Sequence, residues 1–425
     1  MNNQEIISLI KREVVPAIGC TEPMAVALCV AYAKEALGTV PEKVDILLSA
    51  NILKNAMGVG IPGTGMIGLP IAVALGAIVG KSEYQLEVLK DTCPDAVAQG
   101  KRFIAEGRIT IGLKNEISEK LYIEVSCTGA GKASKAIIAH DHTRVTFLEG
   151  PEGVLIDAPC TDNAEGRENE ADELTLKRVY EFATTAPLES IEFINEARRL
   201  NEEASRKSLK GNYGHELGKT LSRPLGRGIM GDSIFCHILS ATSGACDARM
   251  AGAQIPVMSN SGSGNQGIAA TMPVVVFAEE NHNTEEELTR ALILSHLTAI
   301  YIKQSLGRLS ALCGCVVAST GSSCGITYLM GGGYDQIAYS VKNMVANLAG
   351  MVCDGAKPSC ALKVSSGVST AVMSAMLAIQ NKSVTSAEGL VEDDVDRCIH
   401  NLTRLGSIGM NETDRMVLDI MTHKG

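Results

Sequence analysis

Thiols grouped beside glycine are the residues of this chain best suited to do chemistry. Cys313-Gly-Cys315 and Cys353-Asp-Gly-Ala-Lys-Pro-Ser-Cys360 lie forty residues apart in the last third of the sequence. A further thiol, Cys20, opens Cys20-Thr21-Glu22-Pro23 near the N-terminus. Neither spacing fits the short two-cysteine knuckle of a zinc site, and no histidine is near in sequence. Thiolates in glycine-rich surroundings suit an iron–sulfur cluster, whose ligand spacings are more varied. Three cysteines on a four-iron cluster would leave one iron open as a Lewis acid. Inert burial is the competing reading, and spacing alone leaves both open.

Cys20 stands just before a predicted helix, where the helix N-terminus favours the thiolate and lowers its pKa. That fits a base, a nucleophile or a displaceable metal ligand, with plain packing as the alternative. Gly262-Ser-Gly-Asn-Gln-Gly267 matches the G-x-G-x-x-G dinucleotide fingerprint. The fingerprint needs a full helix after its glycines. Pro273 opens a strand-like run, 273–277, six residues after Gly267, which leaves no room for one. Asn260, Ser261, Ser263, Asn265 and Gln266 instead crowd donors and acceptors onto a flexible backbone. That suits a small polar ligand, such as a carboxylate met by backbone N–H groups. Asn51, Lys54 and Asn55 follow a strand and precede Gly58, Gly60, Gly63 and Gly65. A cation and two amides on a closing loop suggest carboxylate recognition; an ordinary surface lysine is the alternative for Lys54 and for Lys357.

The elements that must position these groups follow from composition and periodicity. The chain has 425 residues, 45% hydrophobic and 20% charged, enough for two or three globular domains. Tryptophan is absent and aromatics are 4%, so the core is aliphatic and closely packed with help from 42 glycines. A net charge of -10 argues against nucleic acid or an anionic membrane as partner. Thirteen cysteines without a visible secretory leader imply a reducing, cytoplasmic setting. Cys29, Cys93, Cys127, Cys236 and Cys398 are expected to be packing residues. The uncharged stretches 55–80 and 309–334 are long enough to span a bilayer. Both are rich in breakers and lack basic anchors, so buried glycine-rich loops feeding helices are expected, not membrane spans.

Helical spacing covers 2–16, 22–37 (with Thr21 as N-cap), 70–79 and 84–105; strands are expected at 43–49, 108–113, 121–127, 134–139 and 145–149. A glycine-rich loop is expected over 51–65. This gives an α+β N-terminal domain, residues 1–165. An acidic linker, 161–172, precedes a mostly α-helical C-terminal domain, residues 173–425. Its helices are predicted at 174–184, 190–209, 229–245, 285–306, 336–348, 368–379 and 391–405.

Taken together, Cys20-Thr-Glu-Pro23, Asn51-Ile-Leu-Lys-Asn55, Ser259-Asn-Ser-Gly-Ser-Gly-Asn-Gln-Gly267, Cys313-Gly-Cys315 with Gly325-Ile-Thr-Tyr-Leu-Met-Gly-Gly332, and the loop Cys353–Cys360 resemble the L-cysteine desulfidase family, a branch of the iron–sulfur L-serine dehydratase superfamily. The resemblance runs from about residue 12 to the C-terminus. It implies a carbon–sulfur lyase that carries a [4Fe-4S] cluster and needs no pyridoxal phosphate. Cys353 and Cys360 map onto the later pair of cluster ligands in the dehydratases. Cys313 best matches the first ligand, with Cys315 a rival and Cys324 a weaker one. Cys20 replaces a Ser-Ser-Ser-His-Thr loop of the dehydratases and is the expected fourth iron ligand at rest, then base. Lys54, Asn55, Asn260, Ser261, Asn265 and Gln266 are the expected holders of a small amino-acid substrate. Serine dehydration on the same scaffold, or an iron–sulfur sensor without turnover, are the alternatives; a homodimer is the candidate assembly.

Overall fold

The computed structural model describes residues 1–114, 117, 119–158, 174–307 and 310–423. The chain is about 60% helical, with a mixed sheet in its N-terminal part. It opens with α1 (Asn3–Glu13), whose Asn2 and Glu5 form a capping box. Then come β1 (Pro16–Ala17), α2 (Thr21–Leu37), β2 (Lys43–Leu48), α3 (Ala50–Ala56), the tight hairpin β3 (Gly60–Ile61) and β4 (Met66–Ile67), α4 (Leu69–Ile78) and α5 (Pro94–Ala105). β5 (Ile109–Leu113), β6 (Tyr122–Gly129), β7 (Lys132–Ala139), β8 (Val145–Gly150) and β9 (Gly153–Asp157) complete the sheet. Its order is β5-β2-β6-β7-β8-β9, with β2 parallel to β5 and the other pairs antiparallel. Val44, Ile46 and Leu48 alternate inward along β2. The apolar helix α2 covers β6, β7 and β8 and packs on α4. Gly76 allows that approach, since a Cβ there would meet the Ala27 carbonyl oxygen at 2.7 Å.

Helices α6 to α10 lie between Leu176 and Met230. After them come α11 (Ile234–Met250), β10 (Val257–Met258), α12 (Gly264–Glu280), α13 (Glu285–Leu306), α14 (Gly314–Leu329), α15 (Tyr334–Leu348), α16 (Cys360–Ile379), α17 (Val395–Arg404) and α18 (Asn411–Thr422). α14 is the central helix and touches α12, α13, α15 and α16. Its small residues replace the missing aromatic core: a Cβ at Gly321 would meet the Ser295 carbonyl oxygen at 2.2 Å. The chain ends cross between the two cores. Ile6 and Ile10 of α1 lie in the helical core, and Leu418 of α18 lies in the core beneath the sheet.

Several local expectations are corrected. The run 273–277 is not a strand but the middle of α12, which tolerates Pro273 inside it. A full helix therefore does follow the Gly262–Gly267 loop. The nucleotide reading fails for a different reason: β10, which leads into the loop, is two residues long and pairs antiparallel with β1. Residues 51–65 are not one loop, since Asn51, Lys54 and Asn55 sit on α3. Within 309–334, the glycine-rich part expected to be loop feeding a helix is itself the helix α14, and 84–105 splits into a 3-10 turn (Ser82–Glu87) and α5. Cys20, not Thr21, occupies the N-cap of α2, and Cys93 is exposed where packing was expected. The expected linker, 161–172, lies outside the described residues. Among the described residues one helix, α16, is long and apolar enough to cross a bilayer, and half of its apolar window is buried.

The contact between α12 and β10 is testable. A Cβ at Gly267 would meet the Met258 carbonyl oxygen at 1.9 Å, whereas Gly38 (φ +80) faces open space. Gly267→Ala is expected to cost at least about 3 kcal/mol in urea unfolding, against about 1 kcal/mol for Gly38→Ala. Equal losses would show that α12 does not bear directly on β10.

Candidate active site

Four helices begin at one cavity: α2, α12, α14 and α16, with Cys20, Ser263, Cys313 and Ser359 at their N-cap positions. Backbone stitching holds them there. β1 pairs with β10, Ser259 donates its N–H to the Val15 carbonyl (2.9 Å), and Ser261 donates to Glu13 (2.9 Å). Thr21 Oγ1 donates to the Gly262 carbonyl at 3.1 Å. Ser261 and Gly262 are both left-handed (φ +49 and +79), which turns the chain sharply into α12. The two cysteine segments are tied in the same way. Leu312 and Val352 form a β-bridge, Cys313 donates its N–H to Met351 (2.9 Å), and Cys353 donates to Ala311 (2.6 Å). The Cys313 and Cys353 side chains thereby come within hydrogen-bond reach, although forty residues separate them in sequence. Gly355 (φ +88) turns the loop toward Cys360; a Cβ there would meet the Lys54 carbonyl oxygen at 2.2 Å.

Cys20, Cys313, Cys315, Cys353 and Cys360 line one cavity of about 130 Å³. All are free thiols. Burial pushes Cys20 up to about 12, so the expected helix-lowered thiol is corrected: desolvation outweighs the helix field. The Cys315 side chain beside it, then burial, raises Cys313 to about 12. Cys360 is raised by burial. Cys315 donates its thiol to the Lys363 carbonyl at 3.0 Å. Cys324 lies in the body of α14, fully buried and outside the cavity wall. Among the described residues, no three His, Cys, Asp or Glu side chains converge as ligands of a single ion.

Of the other expected site residues, Asn55, Ser261, Asn265 and Gln266 line the cavity. Asn55 Nδ2 donates to Glu22 Oε1 at 3.3 Å, and Gln266 Oε1 is a buried acceptor without a partner. Lys54 and Asn260 do not line it, which corrects their direct substrate roles. Lys54 is buried in an ion pair with Asp414 and faces the Cys353 carbonyl at 3.5 Å. Asn260 is fully buried; its Nδ2 donates to the His296 carbonyl and contacts His296 Nδ1, both at 3.1 Å. It accepts the Ser261 hydroxyl at 2.8 Å, so it aims Ser261 rather than touching a ligand. Burial lowers His296 to about 3, which keeps the ring neutral.

Sequence reasoning missed Glu22, His142, Arg249 and Lys303, all on the wall. His142 comes from the turn between β7 and β8, far in sequence from every cysteine of the site. Arg249 and Lys303 sit in the last turns of α11 and α13, where cations are ordinary complements of the helix dipole. Arg249 donates to Asn265 Oδ1 and to the Gly19 carbonyl, both at 3.1 Å. Burial lowers Lys303 to about 8. Asp354 is desolvated, yet its hydrogen bonds from Lys357 and Lys363 hold it at about 2.

The family model for the serine dehydratase alpha chain matches residues 83–419 of this sequence. The chain belongs to the serine dehydratase alpha chain family. A relative from Bacteroides thetaiotaomicron, a UPF0597 protein, is 68% identical over 422 residues, covering 99% of this chain and 98% of the relative. UPF0597 proteins from Phocaeicola vulgatus and Parabacteroides distasonis are 68% and 60% identical, with the same coverage of both chains. The chain is thus similar to UPF0597 proteins over nearly its whole length. Family membership makes dehydratase-like lyase chemistry the class of activity, and the family is typically linked to iron–sulfur clusters. The names of the relatives state no leaving group.

Asp414 reaches Lys54 from the C-terminal helix. Asp414→Asn is expected to cost about 3 kcal/mol in urea unfolding, because it strands a buried ammonium. Lys54→Met with Asp414→Leu should recover most of that loss. A neutral Asp414→Asn would show that the pair carries no buried charge.

Proposed function

We propose that this chain is an L-cysteine desulfidase, which eliminates the β-thiol of L-cysteine to give pyruvate, ammonia and hydrogen sulfide. The observation that carries the reading is the gathering of five thiols and four helix starts on one cavity. Cys313, Cys353 and Cys360 would hold a [4Fe-4S] cluster, with Cys20 on the remaining iron. The donor set fits that group. Each thiolate takes a different iron, so the sulfurs need not converge as they would on a single ion. Bound there, the cluster supplies a Lewis acid beside the substrate.

The chain's own residues then account for binding and proton movement. Backbone N–H groups at the start of α12 suit the carboxylate. Gln266 Oε1, the unpartnered buried acceptor, suits the amino group, and the Asn55–Glu22 pair lines the same cavity. Cys20 Sγ, as thiolate, takes the α-proton; the burial that raises its pKa makes it a strong base. The Cα–H electron pair becomes the Cα=Cβ bond, and the Cβ–S pair leaves with sulfur. The departing sulfide recovers the proton from Cys20. The aminoacrylate adds one water and loses ammonia to give pyruvate.

His142 on the cavity wall favours a second reading, L-serine dehydratase, because it offers an imidazole where the Cys20 loop lacks one. The test is anaerobic reconstitution with iron and sulfide, followed by the absorption spectrum and two assays: sulfide from cysteine and pyruvate from serine. Cysteine turnover with little serine turnover is expected. Cys313→Ala, Cys353→Ala and Cys360→Ala should lose iron. Cys20→Ala should keep it and lose at least about 100-fold in turnover. A colourless protein that still turned over would sink the cluster, and a coloured protein inactive in both assays would leave a sensor.

A further inference from the structure

We infer that Lys303 is the cation that receives the substrate's carboxylate; the inference rests on the reading of the cavity as an amino-acid lyase site. Lys54, Arg249, Lys303, Lys357 and Lys363 are cations in or beside the cavity wall; Lys120, whose charge also reaches Lys303, is exposed. Four of those five are committed to the protein. Lys54 pairs with Asp414. Lys357 pairs with Asp354 Oδ1 at 2.6 Å. Lys363 pairs with the same carboxylate and donates to the Val352 carbonyl at 2.7 Å. Arg249 spends its two terminal nitrogens on Asn265 and Gly19. Its Nε has no hydrogen-bond partner, but it is buried against Gly264, where an added Cβ would come within 2.2 Å.

Lys303 is different. It is only 7% exposed and lines the cavity from the last turn of α13. Among the described residues, no hydrogen bond or ion pair engages its ammonium. Burying a cation without a counter-ion is costly, so a fold that keeps one presents it to an anion. Three kinds of anion come into question: the thiolates of Cys313 and Cys353, the Glu22 carboxylate, whose charges all reach Lys303, and a substrate carboxylate. Glu22 accepts from Asn55 Nδ2 at 3.3 Å and, among the described residues, makes no ion pair with Lys303. The thiolates already have donors. Cys313 receives the Cys315 N–H, and Cys353 receives the Gly355 N–H. Lys303 therefore remains for the ligand. It faces a cavity whose unpartnered acceptor, Gln266 Oε1, suits the other end of an α-amino acid. A carboxylate is common to every α-amino acid, so Lys303 would select the class and leave the choice between sulfur and oxygen to the rest of the wall.

The test uses the reconstituted holoenzyme and Lys303→Met, which keeps length and removes charge. Two probes are titrated by calorimetry: 3-mercaptopropionate, which has the carboxylate, and cysteamine, which lacks it. Wild type is expected to prefer 3-mercaptopropionate by at least about 10-fold, and Lys303→Met to lose that preference. KM for the amino acid should rise at least about 30-fold while kcat changes less than about threefold, with iron content unchanged. Lys303→Arg should restore part of the preference. An unchanged KM and preference in Lys303→Met overturns the assignment. So does a loss of iron with the preference intact, since Lys303 would then serve the thiolates. If wild type turned over neither cysteine nor serine, the lyase reading would fall, and the calorimetric preference would decide Lys303 alone.

Discussion

Helix starts repel one another unless negative charge sits between them. Each carries unsatisfied N–H groups and roughly half a positive charge. Here α2, α12, α14 and α16 all begin on one cavity, and most of the groups proposed to act there lie in their caps and first turns. Such an arrangement is favourable only around anions: thiolates, a sulfur-rich cluster, a carboxylate. Two helices, α11 and α13, arrive by their opposite ends and bring Arg249 and Lys303. A cation is the natural residue in a last turn, because it offsets the negative end of the dipole. The electrostatics of the site are therefore largely a consequence of which helix ends the fold turns inward.

Holding those ends in place requires contacts between remote parts of the chain. Residues 13–21 are stitched to 257–262 by strand pairing and side-chain hydrogen bonds, and the cysteine segments are bridged to each other through Leu312 and Val352. The termini complete the lock. α1 contributes to the helical core, and α18 reaches back to pair Asp414 with Lys54 beneath the Cys353 loop. Lys54 was read from sequence as a substrate-binding cation, yet its neutraliser lies 360 residues away. It supports the loop that carries Cys353 and does not face the cavity.

That example marks where sequence reasoning stops. β2, β6 and β7 were legible because a sheet with one buried face alternates, and α13 because its residues show helical spacing. α14 was not legible. It is buried on nearly every side, so its Gly, Ser, Thr and Cys residues show no apolar stripe. Pro273 misled for a related reason: tertiary packing sustains α12 through a residue that would break an isolated helix. At the site, the thiols stood out by spacing and the Gly262–Gly267 loop by composition. Arg249, Lys303 and His142 did not, since each looks like an ordinary charged or polar residue until the fold turns it inward.

The raised thiols tie metal and proton binding together. Cys20 and Cys313 are pushed up to about 12 and Cys353 well above the usual thiol range, so at neutral pH these sulfurs carry protons in the protein without metal. A cluster binds thiolates, so loading must release those protons, and affinity must rise with pH. Helix starts alone do not ionise thiols buried this deeply; in the contest between desolvation and the helix field, desolvation wins for Cys20 by a wide margin. Iron bound as proposed would reverse the outcome by supplying a much larger charge at closer range. On that proposal the fold would store thiols that are unreactive until metal binds, beside N–H groups aimed to hold the resulting negative charge. A thiolate later freed from metal in this setting has a high proton affinity, which is the property that removal of an α-proton demands.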